Sequence, residues 1–238
     1  MKRPRPAPPS VWDLAIFDAL DVKSLYSAAL VSRAWASRVR RLHAARRADL
    51  SRGQELLPVT VRSTGSYPCD FDYRASTRLP SGHDWPSDVR RSVAVYIARA
   101  AAKGWALFAG EAIPAGTFLG EYAGRLVRTI SMNRASSYIV SVREEGASAV
   151  FRLNVDAMRL GSCSRFINHS CEPNAVLDTY RRQDMLCVLP RVHIISLRAI
   201  AAEEEITIDY GVANGVGRET CHCGTSACLE RLPFDASL

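Results

Sequence analysis

The ten residues RFINHSCEPN, Arg165 to Asn174, set an amide and an imidazole, Asn168 and His169, directly after two apolar side chains, Phe166 and Ile167. Polar groups drawn under apolar neighbours without partners cost about 1–3 kcal/mol each. The pair therefore needs partners, from the fold or from a ligand. Two further pieces follow in chain order: Ile-Asp-Tyr-Gly at 208–211 and Cys-His-Cys-Gly-Thr-Ser-Ala-Cys at 221–228. The latter crowds Cys221, Cys223 and Cys228 into one short loop. Tetrahedral zinc wants four ligands, with sulfur at about 2.3 Å, so a fourth must come from outside this trio. His222 is the local candidate. Upstream, Lys103-Gly104-Trp105-Ala106 sets a glycine beside an aromatic ring. That combination lets backbone carbonyls approach a ligand closely while the ring covers its flat part.

The chain has 238 residues, room for one medium domain and a small one. Hydrophobic residues make up 47% and charged residues 23%, which is ordinary globular usage. Met1 to Ser10 is Pro-rich and basic with no apolar segment behind it, unlike a secretory signal. No apolar run approaches the roughly 18 residues of a membrane-spanning helix, so no membrane partner is expected. The cysteines number 7, an odd count with three in one loop, which favours metal binding in a reducing compartment over a disulfide framework. The nucleus or cytosol fits. The net charge of +7 is concentrated in Arg33, Arg38, Arg40, Arg41, Arg46, Arg47 and Arg52, opposed only by Asp49. Such a run can approach DNA phosphates or act as a nuclear address, or it can be a solvated helix face.

The organisation is read as follows. Residues 1–10 form a disordered basic tail. Residues 11–50 form a small helical module in which Val11, Leu14, Phe17 and Leu20, then Leu25, Ala28, Val31 and Trp35, make an apolar stripe, with Asp21 as a helix N-cap. Residues 51–90 are punctuated by Gly, Pro, Ser and Asp and read as a linker with short strands. From 91 to 212 the texture becomes strand-length segments: Val93 to Ile97, Trp105 to Phe108, Phe118 to Tyr122, Tyr138 to Val142, Phe151 to Val155, Val192 to Leu197 and Ile206 to Ile208. Residues 217–234 carry the cysteine loop. The fold class is mainly β.

In this order, Lys103-Gly104-Trp105, Glu121-Tyr122-Ala123-Gly124, Arg165 to Asn174, Ile208 to Gly211 and the cysteine loop resemble the SET-domain protein lysine methyltransferases with a post-SET motif. The plant Su(var)3-9-related histone methyltransferases are the subgroup that fits. The resemblance implies a β-clip of short strands with a zinc-bound flap, S-adenosylmethionine as methyl donor and one structural zinc. It implies cofactor binding by Lys103, Gly104, Trp105, Tyr138, Arg165, Asn168, His169 and Leu229. It names Cys171 as the ligand completing Cys221, Cys223 and Cys228, and Tyr210 with Tyr138 as the catalytic tyrosines. The substrate it implies is a histone tail, with lysine nine of histone H3 foremost, and the location is chromatin in the nucleus. A free phenol titrates near 10 and a lysine near 10.4, so Tyr210 suits orientation better than general-base work.

Residues 13–35 also resemble an F-box, which implies docking to a Skp-type adaptor through Leu14, Phe17, Leu20 and Trp35; the usual leading Leu-Pro is absent. Other departures concern the core. Residues 51–102 hold only Cys69 where the Su(var)3-9 class has a three-zinc cluster. The segment between Gly124 and Tyr138 is short, Arg125 stands where the family has Glu, and Ile208 stands where an aromatic is common. Ile208 would leave room for a higher methylation state. Two alternatives follow: the same chemistry on a nonhistone protein, or a ubiquitin-ligase adaptor whose SET-like part binds without turnover.

Overall fold

The computed structural model describes residues 33, 35–36, 49–62, 71–79, 81–82, 84–85, 89–133, 136–145, 150–181, 189–211 and 216–233. The basic tail lies outside these, as do Leu14, Phe17 and Leu20 of the F-box-like stripe and most of the arginine run. Arg33, Trp35 and Ala36 are described and helical.

Strands dominate the remainder. One sheet has the order Val59–Arg62, Val95–Ala100, Gly104–Ala109, its first pair parallel and its second antiparallel. A second runs Asp84–Trp85, Thr77–Arg78, Arg125–Val127, Val150–Asp156, Ile139–Glu145. A third runs Asn168–His169, Thr207–Ile208, Ala175–Tyr180, Arg191–Ser196, Phe118–Glu121. Two small pairs complete the set: Leu160–Gly161 with Asp72–Tyr73, and Val216–Thr220 with Arg231–Pro233.

Alternation explains why these segments are strands. In Val150–Asp156, Leu153 and Val155 turn to the core while Asn154 faces the other way. Asn154 is nonetheless buried, its amide donating to Thr129 Oγ1 at 2.9 Å and accepting from Ser141 Oγ at 2.5 Å. The strand Arg191–Ser196 is covered on both faces. Val192 and Ile194 enter the core, and His193 stacks on Tyr180 at 4.6 Å between ring centroids. The core is built from Ile97, Leu107, Ile113, Leu119, Ile194, Ile200 and Ile206, all contributed by the sheets and their connections.

The segment expected as a linker is tied into these sheets. Val59–Arg62 is an outer strand of the first sheet, and Val59 and Tyr73 lie in the core. Thr77 Oγ1 donates to Glu121 Oε1 at 2.9 Å, while Arg191 donates to Glu121 Oε2 at 2.9 Å in an ion pair 5% and 2% exposed. Tyr73 donates to Glu55 at 2.7 Å and accepts from the Cys163 amide at 3.3 Å. Buried polar contacts thus fasten residues 49–62 and 71–79 to the body. Gly161 marks where chain segments come closest: a Cβ there would stand 2.5 Å from the Ala123 carbonyl oxygen.

Candidate functional site

Two short parallel strands bring the separated motifs together. Asn168 pairs with Thr207 and His169 with Ile208, and Ser170 donates its amide to the Ile208 carbonyl at 2.9 Å. Tyr210 follows two residues later. Its amide donates to His169 Nδ1 at 3.2 Å and its hydroxyl to the Ile167 carbonyl at 3.2 Å. The imidazole and the phenol ring lie 5.3 Å apart, tilted by 51°. Tyr210 keeps 39% exposure, with its hydroxyl end turned inward. That burial, and then the Tyr138 phenol nearby, push its pKa up to about 12. The hydroxyl is therefore neutral at physiological pH and serves as a fixed dipole.

His169 is buried, and burial holds its pKa below the usual value although Asp209 opposes the shift. A neutral ring whose Nδ1 accepts from Tyr210 carries its proton on Nε2. That nitrogen faces Cys171 Sγ at 3.4 Å. One ring thus joins the tyrosine to the cysteine cluster.

Asn168 spends both amide protons inside the protein, on the Trp105 carbonyl at 3.2 Å and on Glu205 Oε1 at 2.9 Å. Its Oδ1 is left as an acceptor. Glu205 Oε2 pairs with Lys103 Nζ, both side chains being 18% exposed. Gly104 has φ +80°, and nothing lies within 4 Å of where its Cβ would stand. An open turn, a half-buried indole and a free amide oxygen fit a ligand with a flat ring and an ammonium group. S-adenosylmethionine has both.

Arg165 is fixed by the Ala157 carbonyl at 2.9 Å and the Met158 carbonyl at 3.0 Å, with its guanidinium 4.0 Å from the centre of the Tyr138 ring. Tyr122 was not among the sequence-derived site residues, yet it belongs here. It is buried and donates to the Tyr138 carbonyl at 3.0 Å. Burial, then the Tyr210 phenol, raise its pKa. Its quoted motif, Glu121-Tyr122-Ala123-Gly124, held the available signal. Glu205 was missed as well, because the run Glu203-Glu204-Glu205 looks like a solvated acidic turn.

The Sγ atoms of Cys171, Cys221, Cys223 and Cys228 lie within 4.8 Å of one another. Sulfurs bound tetrahedrally at 2.3 Å would sit about 3.8 Å apart, and Cys171 Sγ is 4.0 Å from Cys221 Sγ. Amides already point at the sulfurs: Leu229 donates to Cys171 Sγ and Glu230 to Cys228 Sγ, each at 3.4 Å. Four thiols with N–H donors around them can hold a thiophilic metal ion. His222 is exposed and is not part of the group. Leu229, expected to bind the cofactor, is 74% exposed and meets the cysteine cluster through its backbone. Cys163 is buried away from the cluster. Cys69 and Cys187 lie outside the described residues.

A family model described as the SET domain matches residues 104–211. Histone-lysine N-methyltransferase SUVR3 of Arabidopsis thaliana is 36% identical over 164 residues, covering 60% of this chain and 46% of that protein. A histone-lysine N-methyltransferase of Chaetomium globosum named as H3 lysine-4 specific is 37% identical over 147 residues, covering 58% and 13%. The chain thus spans half or less of these relatives' length. Among solved structures, KRYPTONITE in complex with mCHH DNA, an H3(1-15) peptide and SAH superposes with a TM-score of 0.65 over 78% of this chain and 53% of that one, at 23% identity. That likeness is one of fold.

Proposed function

We propose that the protein, whose residues 104–211 match the SET-domain family model, is an S-adenosylmethionine-dependent histone-lysine N-methyltransferase acting on the tail of histone H3, at lysine nine. The carrying observation is the seating of Tyr210 on the strand that bears Asn168 and His169. That contact joins a methyl-acceptor element to a cofactor element across a long stretch of chain.

Bound S-adenosylmethionine would supply a methyl carbon activated by the sulfonium charge. Gly104, Trp105, Asn168 and His169 would hold it, with Lys103 and Arg165 at the margins. The chain's own contribution is positional. Holding an amine and a methyl group in line replaces about 7–11 kcal/mol of entropic and reorganisation cost. The phenols of Tyr122, Tyr138 and Tyr210 lie near one another, and the positive sulfonium beside them would disfavour an ammonium and favour the neutral amine. The Tyr210 hydroxyl proton is committed to the Ile167 carbonyl, so its oxygen lone pairs are free to receive weak C–H···O contacts. The neutral phenol cannot accept the substrate's proton, which leaves to solvent.

The four-cysteine site would hold structural zinc, anchoring the loop 221–228 against the strand that carries His169. Ile208 is buried within the core beside Tyr210, and an aliphatic side chain there supports di- or trimethylation. The family chemistry supports a chromatin location. The test is incubation of the protein with recombinant nucleosomes and methyl-labelled cofactor, followed by mapping of the modified lysine. Label on lysine nine of H3 is the expected result. Label on another lysine overturns the site assignment, and no label on any histone overturns the substrate class.

A further inference from the structure

Glu205 lies outside the motifs that announce the site, yet it ties together two of its walls. One carboxylate oxygen accepts from Asn168 Nδ2 at 2.9 Å and the other pairs with Lys103 Nζ. Lys103 opens the Gly104–Trp105 turn, and Asn168 also donates to the Trp105 carbonyl at 3.2 Å. The carboxylate therefore closes a ring of contacts that runs through the backbone of Lys103, Gly104 and Trp105. Its own backbone is held independently, by a bridge to Phe108 and by the Ala109 and Ile206 amide bonds on either side. Replacing the side chain leaves that placement intact.

We propose that Glu205 is a positioning and charge-compensating residue that makes this pocket accept a cationic methyl donor. This rests on the reading of the pocket as the S-adenosylmethionine site. Two physical effects converge on it. By taking one Asn168 proton while the Trp105 carbonyl takes the other, Glu205 fixes the amide with Oδ1 outward, as an acceptor for a ligand N–H. By neutralising Lys103 where both side chains are only 18% exposed, it removes a positive charge that would repel a sulfonium. The demethylated product is an uncharged thioether of nearly the same shape, so the two effects can be separated. Loss of amide orientation weakens both ligands alike, whereas loss of charge compensation weakens only the sulfonium.

The test is calorimetric binding of S-adenosylmethionine and S-adenosylhomocysteine to the full chain, its Glu205→Gln variant, and Glu205→Gln combined with Lys103→Met. Glutamine keeps the shape and an oxygen for Asn168 but discards the charge. Glu205→Gln is expected to raise the Kd for the sulfonium about tenfold more than the Kd for the thioether, as an uncompensated ammonium in a partly desolvated site would. Lys103→Met in that background should return the ratio of the two constants to within about threefold of wild type. No change in either ligand overturns the proposal, and equal weakening of both, or a ratio that Lys103→Met fails to restore, overturns its charge-compensating half. If the unmodified protein binds neither ligand, the cofactor assignment itself falls, an outcome distinct from the others.

Discussion

Replacing Tyr210 with Phe removes one oxygen and leaves the ring in place. The hydroxyl makes a single hydrogen bond, to the Ile167 carbonyl at 3.2 Å, in a residue that keeps 39% exposure. A hydrogen bond of this kind contributes about 0.5–1.5 kcal/mol, and the loss of stability should lie in that range. Catalysis should suffer far more. Loosening the reacting pair by a fraction of an ångström to an ångström costs on the order of 100-fold in rate. Burial raises the phenol to about 12, so at pH 9 only about one molecule in a thousand has it ionised. The rise of kcat between pH 7 and 10 should then follow the substrate amine and survive in Tyr210→Phe with the same shape at a lower height. Methyl transfer from labelled cofactor to H3 across that pH range, beside urea denaturation of both proteins, makes the comparison. Activity within about threefold of wild type, or a pH limb lost in the variant, would refute the orienting role.

Cys171→Ser should bind less than one metal ion per chain after dialysis while the unmodified protein retains one, measured by plasma mass spectrometry; equal metal in both would remove Cys171 from the ligand set. Arg191→Met strands the buried Glu121 carboxylate and should cost about 3–5 kcal/mol in urea unfolding, whereas a loss under 1 kcal/mol would show the pair to be dispensable. Gly161→Ala drives a methyl group to 2.5 Å from the Ala123 carbonyl oxygen and should lower stability by about 1–3 kcal/mol; an unchanged unfolding midpoint would contradict the close approach. Burial lifts the Cys163 thiol to about 11, so it should resist thiol reagents at pH 8 in the folded protein and react only on unfolding.

The long strands were legible from sequence because their alternation is local. Trp105 to Phe108, Phe118 to Tyr122 and Phe151 to Val155 reappear as Gly104–Ala109, Phe118–Glu121 and Val150–Asp156. The strand Ala175–Tyr180 went unnoticed because Asp178 and Thr179 dilute its apolar pattern. It is held by six paired positions on Arg191–Ser196, a partner that begins 11 residues beyond its end. Asn168–His169 and Thr207–Ile208 are too short to carry any period, and only their pairing makes them strands.

Residue chemistry by itself named the amide and imidazole that had to find partners, the three-thiol loop that lacked a fourth ligand, and a tyrosine too weakly acidic to act as a base. Each follows from what a side chain can donate, accept or ionise, which any sequence displays. That Cys171, which the family resemblance had named, lies beside the loop's three thiols, that Tyr122 stands beside Tyr138, and that Glu205 bridges Lys103 to Asn168 were decided by tertiary pairing. Those contacts join residues 16 to 102 positions apart. No local pattern encodes such distances, because they are set by how sheets stack and where buried polar groups find relief.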